Sequence, residues 1–99
     1  MTMASLPPAT GSVLLFHEAG LHARPSVKLT KLAKTFSAKI EIAASQDGPW
    51  IDAKSIVKVM AVKIPQDTVL HFRAIGADAD AAVLALVGLV ETDFEDAVA

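Results

Sequence analysis

The chain has no cysteine among its 99 residues. Neither a disulfide framework nor a thiolate metal site is open to it, and nothing ties it to one redox compartment. Basic charge is not in excess either: nine Lys and Arg stand against eleven Asp and Glu, a net charge of −2. That balance argues against a general nucleic-acid binder, which needs a basic surface to meet phosphates. No apolar run approaches the ~18 residues of a membrane helix. Residues 1–10 lack the positive end and long apolar centre of a signal peptide, so a cytoplasmic protein without membrane insertion is expected. P-loop, kinase Gly-rich loop and Gly-x-Ser-x-Gly elbow are all missing, which leaves no nucleotide site and no serine-hydrolase site to predict.

What remains is enough for one domain. Apolar residues make up 53% of the chain, sufficient for a modest core but not for a second one. Pro7 and Pro8 with small polar neighbours mark residues 1–10 as a flexible leader. Residues 11–91 hold the periodic patterns of a domain. Residues 92–99 form an acidic tail: Glu91, Asp93, Glu95 and Asp96 crowd the negative end of the last helix, so the chain is expected to fray there.

Within the domain, the β-favouring run Gly11 to His17 predicts a first strand. Helical spacing of Val27, Leu29, Thr30, Ala33 and Phe36 predicts a helix from Ala23 to about Phe36, with Lys28, Lys31 and Lys34 on a basic face. Alternation across Lys39, Ile40, Glu41 and Ile42 predicts a half-buried strand. A turn at Ser45–Pro49 leads into a short return, Trp50–Asp52, with the Trp covering the core edge. Lys54–Val62 reads as a short helix capped by Ser55, so apolar all round that a domain of this size must leave part of it exposed. Thr68–Ala74 is a strand, and Ala79 to about Val90 is a third helix with Asp78 as its cap. The order βαββαβα implies an α+β two-layer fold with helices on one face of an antiparallel sheet.

The chemistry concentrates in Gly20-Leu21-His22-Ala23-Arg24-Pro25. Gly20 permits a sharp turn, and Pro25 suits the first turn of a helix because its missing N–H would have lacked a partner there. His22 then falls at the N-cap. Unpaired amides and the positive end of the helix dipole disfavour an imidazolium, which favours a neutral, nucleophilic ring, and they welcome an anion beside it. Arg24 can reach back to phosphoryl oxygens with its two-pronged guanidinium. On spacing alone, a His in this place is more often a cap or a surface residue.

The run resembles the active-site signature of the HPr family, histidine phosphocarriers of the bacterial phosphotransferase system. A second block, Asp52-Ala53-Lys54-Ser55-Ile56-Val57-Lys58-Val59-Met60, resembles that family's regulatory-serine and docking-helix segment. The likeness extends over roughly residues 11–90. It implies an open-faced sandwich with sheet order 1-4-2-3 and three helices on one face. It implies further a monomeric carrier rather than an enzyme, needing no cofactor and no metal. His22 would take a phosphoryl group from enzyme I at its Nδ1 and pass it to enzyme IIA domains, supported by Arg24. Ser55 would match the regulatory site of an HPr serine kinase, although an ordinary helix cap needs the same residue. Lys31, Lys34, Ile56, Val57, Lys58 and Met60 would touch partners, although lysines at this spacing are by default solvated surface. Two departures stand out: Glu18-Ala19 replaces the Asn-containing turn of many relatives, and Lys63 stands where many end the second helix with Gly.

Two rivals differ in class. A regulatory module of the nitrogen-type branch would keep the fold and dock through the second helix with little flux through His22. An enzyme with His22 as general base would need a catalytic carboxylate that the sequence does not assign. A metal site from His17 and His22 is no recognised ligand pattern; His17 and His71 read as a loop and a strand residue.

Overall fold

The computed structural model describes residues 8–95; part of the leader, residues 1–7, and the end of the tail, residues 96–99, lie outside the described residues. Seven elements follow in the expected order: β1 (Ala9–Leu15), α1 (Ala23–Ala33), β2 (Lys39–Ala43), β3 (Ile51–Asp52), α2 (Ile56–Val62), β4 (Thr68–Ile75) and α3 (Ala79–Glu91). The four strands form one antiparallel sheet in the order β1-β4-β2-β3. Both connections out of neighbouring order are made by helix-containing crossovers, so all three helices gather on one face.

Alternation sorts the two faces. Val13 and Leu15 of β1, Leu70, Phe72 and Ala74 of β4, and Ile40 and Ile42 of β2 point to the helices and join Leu29 and Ala33 of α1, Val59 of α2, and Ala82, Val83, Leu86 and Val90 of α3 in one core. The opposite face carries Thr10, Ser12, Lys39, Glu41, His71 and Arg73. Gly11 lets α3 approach β1 closely: a Cβ there would stand 2.8 Å from a Val83 methyl.

Several local expectations need correction. β1 begins at Ala9 rather than Gly11, so the last residues assigned to the leader belong to the sheet. α1 stops at Ala33; Phe36 lies beyond it and still packs on the core. Val27 is exposed while Ser26 is fully buried, its hydroxyl donating to Leu21 O of the preceding loop. Trp50 does not cover the core edge. It neighbours the outward Asp52 side of β3 and stacks on Arg73, whose Cζ lies 4.2 Å from the ring centroid, while Arg73 Nε donates to Glu41 Oε1 at 2.7 Å.

Asp78 occupies the N-cap position of α3 but makes no capping bond with its side chain. Its carboxylate instead accepts the backbone N–H groups of Ser37 (2.9 Å) and Ala38 (2.8 Å), which the α1–β2 turn leaves open. The Ser37 amide foremost, then the Ala38 amide, hold its carboxyl below the usual carboxylate value against a partial desolvation. The described part of the tail, residues 92–95, packs back on the domain, and the last residues expected to fray, 96–99, lie outside the described residues. After α3 the backbone turns left-handed at Asp93 and Phe94, Phe94 N–H donates to Leu89 O at 2.8 Å, and the Phe94 ring is buried in the core.

Candidate functional site

The loop between β1 and α1 is held at both ends. Gly20, at φ +72°, donates to His17 O at 2.8 Å, and Leu21 donates to Ile64 O at the same distance. A Cβ on Gly20 would stand 2.6 Å from that Ile64 oxygen, so glycine is required for conformation and for space alike. Leu21 turns its side chain into the core. Ser26, one turn into α1, donates its hydroxyl to Leu21 O at 3.1 Å, clasping the loop to the helix that follows it.

With Leu21 inward, His22 is turned outward. It is exposed and takes an extended N-cap conformation (φ −96°, ψ −159°), its carbonyl accepting the Ser26 N–H at 2.9 Å while its ring makes no capping bond. Among the described residues the backbone N–H groups of Ala23 and Arg24 have no acceptor, and Pro25 has no N–H to offer. Open amides at a helix start beside an exposed imidazole form a place where an anion attached to that ring would be stabilised.

Arg24 is exposed on the first turn of α1 and, among the described residues, makes no ion pair. Among the described residues no hydrogen bond or cation–π contact joins its guanidinium to the His22 ring; the two share the same end of the helix. Lys31 and Lys34 are exposed further along α1. α2 packs beside α1. Its N-cap Ser55 accepts the Lys58 N–H at 3.2 Å, Val59 is buried, and Val57 (75% exposed) and Met60 (38%) face outward together with Lys58. The expected partial exposure of α2 is therefore what its packing produces. Lys63 takes the left-handed conformation (φ 54°, ψ 56°) at the helix exit, the conformation that glycine adopts most readily, and its N–H closes on Met60 O.

One set of neighbours was not legible in the sequence. The His17 ring lies 5.6 Å from the His22 ring, centroid to centroid, at 33°. His17 Nδ1 meets Asp93 Oδ1 at 2.8 Å, and its ring meets Phe94 edge-on at 5.9 Å. Lys28 of α1 donates through Nζ to Phe94 O at 2.8 Å. The tail thus closes over the loop that presents His22. The one signal for it was Phe94, a large apolar side chain in an otherwise acidic stretch.

Fold and site together define a class: small open-faced α+β sandwiches that present an exposed histidine at the start of their first helix. A family model described as "PTS HPr component phosphorylation site" matches residues 10–92. The chain belongs to the HPr family of the phosphotransferase system. It is 40% identical over 73 residues to phosphocarrier protein HPr of Haemophilus influenzae, covering 74% of this chain and 84% of that protein. It is 38% identical over 78 residues to a multiphosphoryl transfer protein of Vibrio cholerae, covering 78% of this chain but only 20% of that protein. Among solved structures it is similar to HPr of Thermoanaerobacter tengcongensis, with TM-score 0.79 and 33% identity over 88% of this chain and 97% of the other. No described helix is long and apolar enough to cross a membrane.

Proposed function

We propose that this protein is a phosphoryl carrier whose acceptor is His22, charged by phospho-enzyme I and discharged to enzyme IIA domains. The observation that carries the reading is the exposed His22 ring at an N-cap whose first amides have no other acceptor. In the transfer, the bond from phosphorus to enzyme I breaks as the bond to His22 forms. The carrier contributes positioning and charge stabilisation, which is most of what phosphoryl transfer asks of a protein. The Ala23 and Arg24 amides and the helix dipole face the phosphoryl oxygens, and the Arg24 guanidinium swings in from its exposed position to pair with them.

Partners dock on the exposed residues that flank His22, Lys31 and Lys34 of α1 and Val57, Lys58 and Met60 of α2 with the half-buried Ile56. The apolar centre supplies affinity, and the lysines steer acidic surfaces toward His22. A phosphoryl group on Ser55, in the midst of this face, would repel the same acidic surfaces. The carrier works in the cytoplasm, with residues 9–95 as its folded domain.

Incubation with enzyme I and phosphoenolpyruvate, followed by addition of an enzyme IIA domain, tests the reading. The expected result is an acid-labile, base-stable mass gain of one phosphoryl group that moves on to the IIA domain and is lost in His22→Ala. An unchanged mass beside a working control carrier overturns it. The exposed α2 patch also supports a second reading, a regulatory module acting by docking; under it, His22→Ala leaves the physiological output intact while Val57→Glu abolishes it.

A further inference from the structure

The neighbours of His22 include a second imidazole that carries no assigned role. His17 lies in the loop after β1, and its backbone carbonyl already fixes the turn by accepting the Gly20 N–H. Its side chain is not idle surface: Asp93 Oδ1 sits 2.8 Å from Nδ1, Phe94 packs edge-on against the ring, and the His22 ring lies 5.6 Å away. A carboxylate can only accept, so His17 carries its proton on Nδ1 in this bond, leaving Nε2 as the nitrogen that gains or loses a proton. The charged groups that the fold brings near it are Asp93 in contact, Glu18 next in the chain, and Lys28, which reaches the carbonyl of the Phe94 that packs on the ring.

We propose that His17, oriented by Asp93, is a second support for the phosphoryl group carried on His22. The proposal rests on the carrier reading above and adds a residue to it. A phosphoryl group on His22 brings about two negative charges next to His17. His17 takes a proton from solvent on Nε2 and donates it in a charge-assisted hydrogen bond to a phosphoryl oxygen, while Asp93 holds the other ring nitrogen. No bond to phosphorus changes in this step. The tail thereby becomes part of the site, since Phe94 in the core and Asp93 beside it set the pose of His17.

The test is the equilibrium constant for phosphoryl exchange between phospho-enzyme I and this protein, measured for the wild type, His17→Gln and Asp93→Asn across the imidazole range, about pH 5 to 8. An equilibrium between dissociated proteins is blind to how tightly the variants dock. The expected ratio of wild type to His17→Gln is about three- to tenfold at the acidic end, where the ring can donate, closing toward one as pH rises. In Asp93→Asn the equilibrium constant at the acidic end falls toward that of His17→Gln, because the ring loses the carboxylate that orients it. A purely structural role gives a ratio that does not vary with pH, and either that or a ratio of one throughout overturns the proposal. If His22 takes up no phosphoryl group in any of the three proteins, the carrier reading fails and this inference with it. Equal uptake at every pH removes His17 alone. Thermal melts of each variant exclude misfolding as the cause of a difference.

Discussion

At the scale of single residues, the placement of His22 rests on Gly20 and Leu21. The left-handed turn at Gly20 brings the Leu21 amide onto Ile64 O, and the inward Leu21 side chain obliges the next one to face solvent. Gly20→Ala combines a disfavoured φ with a 2.6 Å approach to a backbone oxygen, so a loss of about 2 kcal/mol or more is expected in a denaturant melt. Lys63 offers the opposite case. Its left-handed conformation carries a cost that a side chain imposes and glycine does not, so Lys63→Gly raises stability by about 1 kcal/mol in the same assay. His22, Arg24 and Gly20 were legible because their chemistry is local: a turn, a ring and a cation within one short stretch. His17 with Asp93 was not, because the two are 76 positions apart and a loop histidine carries no periodic signal.

Among the elements, α2 and the start of α3 are the most informative. The apolar run of α2 pointed to partial exposure, and its packing supplies the physical reason: with α1 on one side and β3 on the other, only Val59 is fully covered. Val57→Glu is therefore expected to leave the unfolding free energy within about 0.5 kcal/mol of wild type while weakening transfer to partners, read as a raised KM for the carrier in an enzyme I assay. Asp78 shows where local patterning misleads. Asp before an alanine-rich helix reads as a cap, yet two open amides from the α1–β2 turn compete for its oxygens and win. With the folded-state value below the usual one, the unfolded chain binds the proton more readily, so stability from Asp78 is present above the ordinary carboxylate value, about 3.9, and is lost as pH falls through the lower, folded one. The gap in stability between wild type and Asp78→Ala is expected to be constant near neutral pH and to narrow in that acid window.

For the whole molecule, the order of elements was within reach of the sequence through alternation and helical spacing, whereas the sheet order β1-β4-β2-β3 was implied only by the resemblance to the HPr family, because periodicity assigns faces and not strand neighbours. The extent of the folded unit was not legible. Ala9 and Thr10 extend the edge strand against Arg73 and Ala74, and Phe94 closes the core from beyond α3; a proline-flanked start and an acidic end disguise both. Phe94→Ala is expected to cost about 3 kcal/mol, as a buried aromatic does, visible as a lowered Tm. The same truncation loosens His17 by removing its edge-on neighbour.

All of this organises around one ring presented at one helix start. Enzyme I and isotopically labelled phosphoenolpyruvate, followed by fragmentation mass spectrometry under alkaline conditions, locate the label directly. The account predicts a single phosphoryl group on His22, with none on His17, His71 or Ser55. Label on another residue, or uptake that survives His22→Ala, would contradict it.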